Sequence, residues 1–161
     1  MSLEGNSWSE TTITALLEEL PPDRRLILTA LQWVQEHVGY VPEESVRAIA
    51  HFLNVSRADV HGVLTFYHDL RRTPPAPIVV GLCVAEACQA SGSRELTAIV
   101  SERIAPIGAR SSDGLVEVKE MFCLGNCALG PAVFVNEQLH GRMDFDRLAA
   151  VIATSKAEAT R

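Results

Sequence analysis

Long apolar runs, a surplus of basic residues and an abundance of thiols are all missing from this chain. Its longest apolar stretch, PIVVGLCVA at 77–85, is far too short to cross a bilayer. The opening MSLEGNSWSE lacks the basic residues and apolar segment of a secretory signal. No membrane insertion and a cytoplasmic location are therefore expected. Against 20 Asp and Glu stand only 14 Lys and Arg, and the net charge of -6 argues against an electrostatic grip on nucleic acid. With 10 Gly and 8 Pro in 161 residues, neither a fibrous repeat nor a disordered composition applies. No GxGxxG follows a strand pattern and no Walker sequence occurs, so the chain shows no nicotinamide or nucleotide site of its own. Cysteines number four.

Those four fall in two close pairs, Cys83 and Cys88 in CVAEAC, and Cys123 and Cys127 in CLGNC. In a reducing compartment such pairs read as metal ligands or redox groups rather than disulfides, and the absence of CxxC argues against dithiol exchange. Each pair follows a strand pattern, so neighbouring strands would set the two loops side by side and let four thiolates converge. Gly125 and Gly130 would allow the second loop to turn tightly and bring N–H groups near sulfur. Cys88 would lie near a helix start, whose positive end favours thiolate. Four thiolates suit zinc and iron-sulfur clusters alike, and spacing alone slightly favours zinc. The plain alternative is four unrelated cysteines buried for packing.

Upstream, the chain reads helical. TTITALLEEL is an amphipathic candidate, Pro21 and Pro22 stop it, and Ile27, Leu28, Leu31 and Val34 give an apolar face to a helix from Arg24 to about His37. EESVRAIAHFL and RADVHGVLTFYHDL supply two more, the last opened by Ser56 with Asp59 three residues on. Pro74, Pro75 and Pro77 then form a stiff junction. Beyond it come a strand ending at Cys83, a loop, a helix over SRELTAIVSERI, strands LVEVKEMF and PAVFVN, a turn at NEQLHG and a helix over DFDRLAAVIA. The fold class is α/β (α+β), a small sheet with helices behind an N-terminal helical bundle.

The order C-x4-C, then 34 residues, then C-x3-C, with CLGNC leading into a GPAV strand, resembles the 24-kDa subunit family of respiratory NADH dehydrogenase. The resemblance runs from GYVPEE through VSRADVHGVLTFYHDL to the last helix. It implies a thioredoxin-like domain over 74–161 that holds one 2Fe-2S cluster on Cys83, Cys88, Cys123 and Cys127, and a subunit-docking bundle over 1–73. The respiratory subunits usually carry Gly-Thr inside the first cysteine loop and His just after it, whereas CVAEACQ has Glu86 and Gln89. That loop, CLGNCALGPAV and QLHG look more like the gamma subunit of soluble NAD-dependent formate dehydrogenases, although related subunits also serve NAD-reducing hydrogenases. The implied role is electron transfer with the FMN of a flavin- and NAD-binding partner, beside a catalytic subunit with molybdopterin and further iron-sulfur clusters. The chain alone is not expected to oxidise formate or reduce NAD.

Other residues invite weaker readings. His61 and His68 lie seven apart and would share a helix face as packing or contact residues. Trp33, Phe52, Phe66 and Tyr67 fall on apolar helical positions and are expected in the core, with an exposed subset able to dock a partner. Glu86 could tune a cluster or face a partner, though a loop acid is more often simply solvated. EESVRAIAHFLNVSRADVHGVL also has the form of a helix-turn-helix, but its second helix offers Arg57 among Asp59, His61, His68 and Asp69, poor chemistry for phosphates. A zinc-stapled assembly module and a redox-sensing DNA-binding protein are the alternatives of another class.

Overall fold

A computed structural model describes residues 8–136 and 138–159. The chain divides into two compact units between Pro74 and Pro75.

The first unit holds α1 (Glu10–Glu18), α2 (Ile27–Val38), α3 (Glu44–Leu53) and α4 (Arg57–Phe66). Local chemistry sets their ends. The Ser9 hydroxyl accepts the Thr12 N–H at 3.1 Å and starts α1. Gly39 at φ 88° closes α2, and Asn54 at φ 54° closes α3 in the left-handed region that Asn tolerates. Ser56 and Asp59 cap α4 reciprocally, an arrangement that contributes about 1 kcal/mol. The apolar stripes meet in a core that includes Ile13, Leu17, Leu31, Val34, Ile49 and Val60. Trp33 is half-buried at its edge, its indole N–H donating to the Leu16 carbonyl at 3.1 Å. Phe52 is half-buried too, with the Arg25 guanidinium 4.9 Å from its ring centre.

The second unit is a four-stranded mixed sheet in the order β2-β1-β3-β4. Strand β1 (Ile78–Cys83) runs parallel to β2 (Val116–Met121), in register from Ile78 with Val116 to Cys83 with Met121. On its other side β1 pairs antiparallel with β3 (Val133–Val135), which in turn pairs with β4 (Gln138–His140). Parallel neighbours need a long crossover, here α5 (Glu86–Ala90) and α6 (Ser93–Arg103), and α7 (Phe145–Ala159) follows the sheet. Val80, Leu82, Val116, Val118, Val133 and Val135 share a core with Leu96, Val100, Leu148 and Ile152. The turn before β2 is tied to α7. Asp113 accepts hydrogen bonds from Lys156 at 2.6 Å, from the Ser111 hydroxyl at 2.5 Å and from the Leu115 N–H at 3.0 Å. Together, with Lys156 foremost, they hold its carboxyl well below the usual range.

Several expectations change in the structure. Phe66 and Tyr67 are exposed, at 74% and 42%, because α4 ends at Phe66 and Tyr67 turns extended at φ -90°, ψ 101°. His68 therefore lies past the helix and shares no helix face with His61. Arg24 closes a short 3-10 turn, Pro22–Arg24, and α2 starts only at Ile27. QLH forms an edge strand rather than part of a turn, and the first cysteine loop contains the short helix α5. Glu137 in the expected turn lies outside the described residues. No described helix is long and apolar enough to cross a membrane.

Candidate metal centre

Both cysteine loops leave the same end of the sheet. Cys83 is the last residue of β1, and its partner in register, Met121, is the last of β2, two residues before Cys123. Parallel pairing thus brings positions 83 and 123 to neighbouring chain exits. The root of the first loop is pinned on three sides. The Cys83 N–H donates to the Ala132 carbonyl at 3.1 Å, the buried Ser93 hydroxyl donates to the Cys83 carbonyl at 2.5 Å, and the Val84 N–H donates to the Met121 carbonyl at 2.8 Å. Cys88 sits within α5, and Cys127 opens a 3-10 turn, Cys127–Leu129.

All four thiols are free, but their surroundings differ: Cys83 and Cys88 are buried, and Cys123 and Cys127 are exposed. Burial pushes the Cys83 thiol up, yet backbone N–H groups of Ala85 and Leu124 and the Cys88 thiol outweigh it and hold Cys83 below its ordinary value. Burial likewise pushes Cys88 up; the Ala132 N–H opposes it, while the hydrogen bond and charge of Cys83 and the charge of Cys127 add to the rise. Leu124 belongs to the second loop, so its N–H on Cys83 joins the two loops directly. The Gly125 N–H points to Cys123 Sγ at 3.4 Å.

The second loop is shaped by close approach. Gly125, at φ 74°, makes the turn between its two cysteines. Gly130 does not provide the turning freedom expected of it, since its φ is an ordinary -65°; a Cβ there would stand 3.1 Å from the Cβ and Oγ of Ser91. Gly141, after β4, is tighter still. A Cβ there would meet Leu129 Cβ at 2.7 Å, and the Leu129 carbonyl oxygen and Asn126 Nδ2 at 2.8 Å. The neighbouring Arg142 N–H donates to the Leu129 carbonyl at 2.6 Å and the Met143 N–H to the Pro131 carbonyl at 3.0 Å. Arg147 donates to the carbonyls of Gly141 and Arg142, which fastens this brace to α7.

The four predicted cysteines therefore lie on two adjoining loops, with Cys83 and Cys88 in contact and Cys127 near enough to act on Cys88 by its charge. Among the described residues no three His, Cys, Asp or Glu groups are placed to hold one metal ion. A dinuclear iron-sulfur cluster takes thiolates two per iron, so a donor set of paired thiols with N–H groups turned toward sulfur fits such a group. Glu86 is exposed at the start of α5. Sequence reasoning missed Ser93, Leu124, Arg142 and Gly141. Ser93 reaches the site through tertiary contact alone and Leu124 stood unremarked inside CLGNC, whereas glycine right after QLH was a visible hint of close backbone approach.

Residues 13–156 match the thioredoxin-like 2Fe-2S ferredoxin family. The chain belongs to that family. Among curated relatives it is 28% identical over 148 residues to an NADH-quinone oxidoreductase subunit of Pseudomonas aeruginosa, covering 89% of each chain. It is 33% identical over 122 residues to the corresponding NADH-quinone oxidoreductase subunit of Escherichia coli K12, covering 74% of this chain and 73% of the relative. A third relative is the NADP-reducing hydrogenase subunit HndA of Solidesulfovibrio fructosivorans, 28% identical over 142 residues and covering 88% and 83%. In fold, the chain is similar to part of an NAD+-reducing NiFe-hydrogenase in the H2-reduced state, with a TM-score of 0.68 at 21% identity. That match covers 81% of this ferredoxin-family chain and 22% of the hydrogenase chain.

Proposed function

We propose that this chain is the 2Fe-2S electron-transfer subunit of a multisubunit NAD-linked oxidoreductase of the NADH dehydrogenase or hydrogenase kind, with Cys83, Cys88, Cys123 and Cys127 as the cluster ligands. The observation that carries the reading is the delivery of two cysteine pairs by adjacent parallel strands, with backbone N–H groups on Cys83, Cys88 and Cys123. Bound there, a 2Fe-2S cluster supplies one-electron storage. The chain's own part is to hold four thiolates, stabilise their charge with N–H donors, and leave the second pair open to a partner. The partner in this reading is a flavin- and NAD-binding protein carrying FMN; the names of the relatives support membership of an NADH- or NADP-linked complex. The first unit then serves as a docking bundle, with the exposed Phe66 and Tyr67 as its contacts. DNA binding gains nothing from α4, whose exposed positions include Asp59 and His61 beside Arg57.

A narrower second reading makes the parent enzyme a formate dehydrogenase with a molybdopterin subunit. It rests on the CVAEACQ loop together with CLGNCALGPAV and QLHG, whereas the relatives above favour the broader assignment. Anaerobically purified chain is expected to contain two irons and two acid-labile sulfides and to show a rhombic electron paramagnetic resonance signal on reduction. One zinc without sulfide would overturn the electron-transfer reading. In an intact complex, flavin reoxidation that proceeds unchanged after Cys88→Ala would separate the cluster from the flavin.

A further inference from the structure

Arg94 is an exposed cation that the chain holds in place and leaves without a counter-charge. Its guanidinium donates through Nε to Gln89 Oε1 at 2.7 Å, and Gln89 Nε2 donates to the Val84 carbonyl at 2.5 Å. Arginine can only donate and a carbonyl can only accept, so these two partners fix the Gln89 amide, and the amide aims the guanidinium. Ordering so long a side chain costs rotamer entropy, and here that cost is met before any partner arrives. Nothing within the chain uses the charge. Three and four residues further along α6 stand Thr97 and Ala98, so no acid on the next turn pairs with Arg94, although the sequence holds 20 Asp and Glu. Among the described residues no carboxylate forms an ion pair with it. Arg94 is also the second residue of α6, where the helix dipole disfavours a cation, so helix stability does not account for it. Val84, Gln89, Ser93, Arg94, Thr97 and Ala98 line an open groove of about 330 Å³, and none of them is acidic.

We infer that this groove is a docking site for an Asp or Glu side chain of a partner subunit, gripped by the free edge of the Arg94 guanidinium, with room left for it by the small Thr97 and Ala98. Charge complementarity names the carboxylate, since the N–H groups of a guanidinium edge match its two oxygens. The same physics names a protein as its carrier. One exposed ion pair is worth little by itself, so a free carboxylate would not stay, whereas one carried on a docked surface arrives at high effective concentration. In a chain of net charge -6 a preset cation also fixes register, because an acidic residue of the partner is attracted at this groove and repelled over much of the remaining surface. The inference rests on the proposed place of the chain in a multisubunit enzyme, and not on which metal its cysteines hold.

The test uses the native complex, isolated from its own cells through a tag on this chain. Arg94→Lys keeps the charge and supplies an amine, which a water-soluble carbodiimide joins directly to a carboxylate in contact with it. Mass spectrometry is expected to link position 94 to an Asp or Glu of another subunit. Arg94→Gln should raise the dissociation constant of the chain from the complex about tenfold, and Arg94→Glu should raise it about tenfold more. Gln89→Met, which keeps the cation but frees it to wander, should raise it about threefold. Links only to this chain's own sequence, within one copy or between two, or no link at all, would overturn the docking site. So would Arg94→Glu binding as tightly as the parent. Failure of the underlying reading looks different, because the tagged parent chain would then come from its cells with no other subunit attached, and the docking site would fall with it.

Discussion

Cys83 and Cys88 keep 2% and 1% of their surface, whereas Cys123 and Cys127 lie open to solvent. The buried pair grows out of the central strand, and its loop is tied by Ser93, Ala132 and Met121. The exposed pair sits on a loop whose shape depends on Gly125 and on pressure from Gly141. One site thus joins a rigid, charge-managed half to an accessible half. Under the proposed function the contrast separates two tasks, holding the cluster and meeting a partner. In the proposed function the buried inner loop would hold the cluster, while the outer loop, flanked by the exposed Phe122 and Leu129, would face another protein.

The sharpest way to break this contrast is to compare Cys88→Ser with Cys123→Ser. Both are expected to abolish the two-iron stoichiometry, read by metal and sulfide analysis. In the metal-free chain they should diverge: a hydroxyl at the buried Cys88 position costs about 1–3 kcal/mol of stability in denaturant unfolding. The exposed Cys123→Ser should stay within about 0.5 kcal/mol of the parent. Equal losses would show that the two halves are not mechanically distinct.

A milder perturbation is Gly141→Ala. Its Cβ would fall inside contact distance of Leu129 and Asn126, so the second loop must shift. The expected cost is about 1–3 kcal/mol, with a changed resonance line shape and slower loading of iron. Gly130→Ala, at 3.1 Å from Ser91, should do less. A line shape identical to the parent's in Gly141→Ala would remove the brace from the account.

The smallest effect belongs to Asp113→Asn, which loosens the turn before β2 and so touches only the outer half. Asp113's folded pKa is depressed, so its contribution is present above the ordinary carboxylate pKa and is lost as pH falls through the folded value. The variant should therefore melt slightly below the parent at neutral pH, and the two curves should converge as pH drops below about 4. Because the pair is surface-exposed, added salt should also narrow the gap. A gap that widens in acid would contradict this sign.

Much of this was legible from residue order. Four helices with Ser, Gly and Asn at their ends are local events, and the cysteine pairs stood out because the chain has no other thiols. What stayed hidden depends on partners distant in sequence. β4 is three residues long with Gln138 and Leu139 exposed, so no burial alternation announces it. Phe66 and Tyr67 fit the apolar rhythm of α4, yet the helix stops beneath them. The alignment of Arg94, Gln89 and Val84 needs α5 and α6 to fold back on the end of β1, and no spacing rule encodes that.

The parallel register of β1 with β2 has a consequence for biogenesis. Positions 83 and 123 become neighbours only after the crossover through α5 and α6 has closed, and non-local parallel pairing of this kind is slow compared with helix formation. If the four cysteines are the ligands proposed above, a nascent or unfolded chain has no four-thiol site to offer, and iron and sulfide would be bound by a sheet that has already closed. Under that proposal, loading would report on folding, since a chain with misregistered strands would place Cys123 beyond reach of Cys83.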